Sequence, residues 1–88
     1  MAQAPNAAAA PPVEIVLGEL VASLVTVAHA YLEAQEGRAP DLEAAKLALD
    51  VAGDAYGRLE PRLSAEERSG LGRLLSTTRL VYVRKRGA

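Results

Sequence analysis

The 88-residue chain has no cysteine, no tryptophan and no phenylalanine, and only one methionine, one histidine and three tyrosines. Without cysteine, disulfides, thiolate metal sites and cysteine nucleophiles are excluded. Without phenylalanine or tryptophan, any core has to be built from leucine, valine and alanine around the three tyrosines. Such side chains let helices approach closely, but each adds little burial, about 0.8 kcal/mol per buried methylene. A domain of this size covers only about 60% of the surface its unfolded chain exposes, so a second copy is the expected source of further core. No lysine or arginine occurs before Arg38. A secretory leader needs basic residues ahead of its apolar run, so Ala28-His29-Ala30, although small-x-small, does not read as a cleavage site.

What the chain has in quantity is one apolar stretch, from Val13 to Leu32. Leu17, Leu20, Leu24, Val27 and Tyr31 recur at alternating three- and four-residue steps, which places them on one stripe of a helix. A second stripe, Val21, Val25, Ala28 and Leu32, lies beside it, and Val16 and Ala22 widen the apolar surface. Glu14, Gly18, Glu19, Ser23, Thr26 and His29 are the only relief. A helix this apolar has to be covered on more than one side or sit in a membrane. The two acids weigh against a membrane span, because a carboxylate at mid-bilayer costs about 2.5–3.5 kcal/mol, and the uninterrupted apolar part falls short of the ~20 residues a span needs.

Around that stretch the chain is predicted to be all-α, with three helices at about 13–36, 41–60 and 64–85. Residues 1–12, rich in alanine and proline and without a charged side chain, read as a disordered tail ahead of a helical domain at 13–86. Pro12 suits a first turn, where a missing N–H is harmless. Gly37 suits a left-handed cap after Gln35 or Glu36. Asp41 is a natural N-cap for the second helix, whose stripe is Leu42, Ala45, Leu49, Ala52, Tyr56 and Leu59, and Pro61 stops it. Ser64 and Glu67 form a capping box. Leu71, Leu74, Leu75, Thr78, Val81 and Tyr82 make the expected inward face of the third helix. Gly70 and Gly72 weaken its start, and Leu80–Val83 is where it would fray.

Few residues here carry chemistry. His29 and Glu33 share the spacing of helical metal ligands, but two ligands are too few unless a symmetric dimer doubles them; otherwise His29 is an interface-edge histidine bonded to Glu33. Asp50 and Asp54 form an acid pair, with Lys46 and Arg58 extending a solvated face of alternating charge. Ser23, Ser64, Ser69 and Ser76 have no histidine–acid partners, and Gly70-Leu71-Gly72 lacks the rest of a phosphate loop. No cofactor is implied and an enzyme is not expected. Charge is divided along the chain: residues 1–54 carry eight acids against Arg38 and Lys46, whereas residues 55–88 carry eight bases against three acids. Arg79, Arg84, Lys85 and Arg86 are the candidate phosphate or partner contacts, without interleaved aromatics. Cations also suit the C-terminal end of a helix, and a divided charge suits self-complementary contact.

Asp41-Leu42-Glu43 with Lys46, Leu49 and Asp50, then Leu63-Ser64 with Glu66-Glu67 and Leu71, then Leu74-Leu75 with Arg79, Tyr82 and Val83, come in an order and spacing that resembles a small bacterial family. It is catalogued as domain of unknown function eighteen-forty-four. Pro11-Pro12 ahead of Ser23-Leu24 and Thr26 is similar to that family's opening, so the resemblance runs from Pro11 to Val83. Where family members end their first helix on a Val-His-Leu-Gly-like run, this chain has Ala30-Tyr31-Leu32-Glu33, with its histidine at 29. An aromatic–acid pair near the end of the third helix is replaced by Ser76-Thr77. The resemblance implies a bacterial, cytoplasmic protein and brings no activity, substrate or cofactor.

The expectation from sequence is therefore a dimeric helical bundle, a non-catalytic module that binds itself. Its partners are expected to be a second copy, with another protein a further candidate and no membrane. The self-association interface is expected at Leu17, Leu20, Val21, Leu24, Val25, Val27, Ala28, Tyr31 and Leu32. The alternative is a nucleic-acid-binding protein using the basic C-terminal cluster. An unpaired buried charge costs several kcal/mol, so Leu24→Asp is expected to abolish assembly and folding, read by solution mass and circular dichroism.

Overall fold

The computed structural model describes residues 10–33 and 36–87. It consists of three helices, α1 (Val13–Leu32), α2 (Leu42–Leu59) and α3 (Ala65–Gly87), with a single 3-10 turn at Glu60–Arg62. The all-α expectation holds. Most of the predicted tail lies outside the described residues.

Each helix starts where the sequence provides for its unpaired N–H groups. Pro12 is the residue before α1, and its carbonyl accepts from the Ile15 and Val16 N–H groups at 3.0 and 3.3 Å. The Asp41 carboxylate accepts from the Ala44 N–H at 3.0 Å and opens α2. At α3 the capping box forms in both directions: the Glu67 N–H donates to Ser64 Oγ at 3.1 Å, and the Ser64 N–H to Glu67 Oε1 at 2.9 Å.

The helix ends depart from expectation in two places. α1 stops at Leu32, one turn before the predicted 36, with Glu33 extended at φ −83° and ψ 128°. The cause is loop closure: the Asp41 N–H donates to the Tyr31 carbonyl at 2.8 Å, which draws the chain back before another turn forms. Gly37 does take the left-handed conformation, φ +77°, but in the connector and not directly after the helix. Residues 34 and 35, part of the predicted helix, lie outside the described residues. At the other end α3 continues unbroken to Gly87, so Leu80–Val83 is helical and not frayed. Pro61 acts as expected: α2 ends at Leu59, and the chain tightens into the 3-10 turn closed by the Leu63 N–H on the Glu60 carbonyl at 3.1 Å.

The short connector makes α1 and α2 a helical hairpin, and their contact is the core. Val21, Val25 and Ala28 of α1 meet Ala48, Leu49 and Ala52 of α2, with Leu75 of α3 closing one side. Alanines at 45, 48 and 52 bring the two backbones close, which suits the valines opposite them. Leu32, Leu59 and Leu63 are buried toward the ends of the hairpin.

α3 is fastened by polar contacts as well as by Leu75. The Tyr56 hydroxyl donates to the Arg68 carbonyl at 3.1 Å, and the Arg68 guanidinium donates to the Leu63 carbonyl at 2.9 Å. Gly72 lies under that hydroxyl, where a Cβ would sit 3.0 Å from the Tyr56 oxygen. Thr78, 1% exposed, satisfies its hydroxyl on the Leu74 carbonyl at 3.0 Å. Of the expected inward face, Leu75 and Thr78 are buried and Leu71, Val81 and Tyr82 half-buried. Leu74 is turned outward, 42% exposed, because α3 rests on the hairpin through a narrower strip than the sequence stripe suggests.

Leu75→Ala is expected to cost about 2–5 kcal/mol through the cavity it leaves between all three helices. Tyr56→Phe is expected to cost about 1 kcal/mol by removing one α2–α3 hydrogen bond. Both are read from urea denaturation midpoints.

Candidate interaction surface

The two stripes predicted on α1 have different fates. Val21, Val25, Ala28 and Leu32 are at most 1% exposed and are spent on the hairpin. They therefore line no free surface, and their assignment to a self-association interface is corrected. The reason is the run of alanines on α2, which fits against this stripe and leaves the other outside. Val13, Leu20, Val27 and Tyr31 are 40–43% exposed, and Leu17 and Leu24 are half-buried at the margin between stripe and core.

The position of α3 explains why this helix does not cover the outer stripe. α3 meets α1 on the flank carrying Gly18, whose Cα faces Leu71, and meets α2 through Gly53 and Tyr56. On a helical projection Leu17, Leu20, Leu24, Val13 and Tyr31 lie on the opposite flank of α1. Val51, 44% exposed, lies on the matching flank of α2, and Leu47, 67% exposed, beside it. The hairpin thus has one face under α3 and one apolar face outside it, bordered at the Tyr31 end by Arg38, Ala39 and Pro40 of the connector.

A second apolar feature lies on the α3 side. Ile15, Gly18 and Ala22 of α1 and Gly70, Leu71 and Leu74 of α3 line a groove of about 410 Å³, with Glu14, Glu19 and Glu67 along its edges. Arg62 pairs with Glu14 at 3.1 Å across one end. The Glu14 carboxyl is held below the usual carboxylate range by a backbone hydrogen bond and then by Arg62.

The charged candidates resolve into ordinary surface chemistry. Lys46 pairs with Asp50 at 2.8 Å and Arg58 with Asp54 at 3.3 Å, so the acid pair is part of a solvated face as expected. The Asp50 hydrogen bond, and then its charge, raises the Lys46 pKa. His29 is exposed and forms no hydrogen bond with Glu33, which stands beyond the helix end as its extended C-cap. Among the described residues no group of three or more histidine, aspartate or glutamate side chains is placed to hold a metal. Arg79, Arg84, Lys85 and Arg86 are exposed along the second half of α3. Of these, Arg79 folds over Gly53 of α2, and Arg86 lies 5.7 Å from the Tyr82 ring centre, a cation–π contact that the sequence reading missed. Spacing alone held the signal for it, since residues four apart share a helix face.

Compared with protein-family models, with characterised proteins and with solved structures, the chain matches none of them. The surface itself is therefore the guide to function. α1 is long and apolar enough to cross a membrane, with a mean hydropathy of 1.8 across an eighteen-residue window of which 22% is buried. Val13–Leu32 has the length and composition of a span although Glu14 and Glu19 interrupt its apolar run, and the core helix of a soluble protein meets the same criterion.

Proposed function

We propose that the protein is a non-catalytic, cytoplasmic self-association module whose interface is the outer stripe of α1. The observation that carries this reading is the alignment of Val13, Leu17, Leu20, Leu24, Val27 and Tyr31 on the face of the hairpin opposite α3, four of them 40% exposed or more. Contiguous apolar patches of this kind mark interaction sites. α1 packs its first stripe along α2 and leaves most of its second exposed, which supports a core helix with a free face over a free span. For α1 to enter a bilayer it would have to leave α2, exposing Val21, Val25, Ala28 and Leu32 together with the alanines they cover. The resemblance to the family of domain of unknown function eighteen-forty-four is compatible with this reading and supplies no activity of its own.

The nucleic-acid alternative rests on the end of α3. Arg79 and Arg86 are drawn onto Gly53 and Tyr82, which leaves Arg84 and Lys85 as the cations least engaged by the fold, a thin footprint for phosphate.

Leu20→Glu separates assembly from folding, because Leu20 is 43% exposed and glutamate is a good helix former. Leu24 does not separate them, since it packs against the core as well as lining the stripe. Leu20→Glu is expected to keep its helical circular dichroism and to halve the solution mass measured by light scattering. Val25→Asp is expected to unfold outright. A wild-type chain that stays at the mass of one copy across the accessible concentration range would overturn the reading.

A further inference from the structure

The spacing of the outer stripe specifies how two copies meet. Val13, Leu17, Leu20, Leu24, Val27 and Tyr31 follow one another at steps of four, three, four, three and four. That series is the same read from either end. It is also a 3.5-residue repeat, the period that keeps a seam facing a partner helix. Every member has a counterpart equidistant from residue 22: Val13 with Tyr31, Leu17 with Val27, Leu20 with Leu24.

We propose that the occupant of this face is a second copy of the chain, seated with its α1 antiparallel about a two-fold axis level with residue 22. This deepens the self-association reading and rests on it. In that register Val13 lies against the partner's Tyr31, Leu17 against the partner's Val27 and Leu20 against the partner's Leu24. A large side chain then meets a small one at each end, so the interhelical distance stays even. A parallel pair would bring two tyrosines together at one end and two valines at the other.

Charge selects the same direction. Glu14 and Glu19 both lie in the first half of α1, and residues 20–32 contain no Asp, Glu, Lys or Arg. Parallel pairing would gather both acidic halves at one end of the pair and align the two helix dipoles, although Glu14 and Glu19 themselves lie off the seam, along the groove on the α3 side. Antiparallel pairing sets each acidic half beside an uncharged half, and opposes the two helix dipoles. The mostly acidic first half of the chain likewise disfavours an anionic lipid surface as occupant.

The face is of adequate size. α1 has 20 residues. At 1.5 Å per residue, and with two helices each ~10 Å wide, the hairpin outlines roughly 600 Å², close to the ~800 Å² per partner of a standard stable interface. Leu47 and Val51 lie on this face and extend the contact onto α2, which gives a four-helix layer of two hairpins with α3 of each copy on the outside.

Because the chain has no cysteine, introduced thiols report geometry without background. Single variants Val13→Cys, Ser23→Cys and Tyr31→Cys of the full chain are treated with a short thiol-to-thiol cross-linker, and their unlinked masses are checked by light scattering. Ser23→Cys, beside the axis, is expected to link to itself. Val13→Cys and Tyr31→Cys are each expected not to, since two copies of residue 13 stand ~27 Å apart along the axis at 1.5 Å per residue. Mixed together, these two variants are expected to link to each other. Self-linking of Val13→Cys alone overturns the antiparallel arrangement and leaves self-association standing. A dimer in which none of these sites links places the contact on another face and overturns the proposal. A one-copy mass with no links removes self-association altogether, and co-flotation of that monomer with phosphatidylcholine–phosphatidylglycerol vesicles identifies a membrane as the occupant.

Discussion

The contact between α1 and α2 is made by small side chains, and everything else in the molecule follows from how little of α1 it can cover. Ala45, Ala48 and Ala52 let the backbones come close, so one stripe of α1, Val21 to Leu32, is removed from water almost completely. The same closeness leaves α2 too narrow to reach around to the second stripe. A bulkier α2 would stand further off and shelter more of Leu20 and Val27, at the expense of packing against Val25 and Ala28.

α3 adds cover on one face only. It is held by Leu75, by the Tyr56 hydroxyl and by the tight seat of Gly72 under that ring, all of which fix it to the flank of the hairpin that carries Gly18 and Gly53. Its own weakly apolar character fits this role: Leu71, Leu75 and Thr78 meet the hairpin while most of the helix stays in water. The consequence is a chain with a finished side and an unfinished one. Exposed apolar side chains occur on any protein, but four on one helix stripe, joined by the half-buried Leu17 and Leu24 at coiled-coil spacing and with Leu47 and Val51 on the adjoining flank, form a surface and not a scatter.

Much of this architecture was legible in the residues. Asp41, Ser64 with Glu67, and Pro61 mark boundaries because each acts on backbone groups within a few residues of itself, and those effects survive in any tertiary setting. The stripes of α2 were legible for the same reason. The end of α1 was not, because it depends on the Asp41 N–H reaching the Tyr31 carbonyl across the connector, a contact ten residues long in sequence. Leu74 was misassigned because periodicity marks a side of a helix, whereas burial depends on how wide a strip its neighbour touches. The continuity of α3 through Leu80–Val83 was missed because β-branched residues lower helix propensity only slightly, and the helix on either side carries them.

By itself the sequence determined that α1 has two apolar stripes. It also set the palindromic spacing of the outer stripe and the placing of both acids in the first half of the helix. Which stripe became the core was decided only by tertiary structure. Periodicity treats the two stripes alike, and the choice fell to the alanines of α2 and to the side on which α3 came to rest. The physical reason is that helix faces are defined locally, by 100° per residue, whereas burial is a property of what else occupies the space opposite.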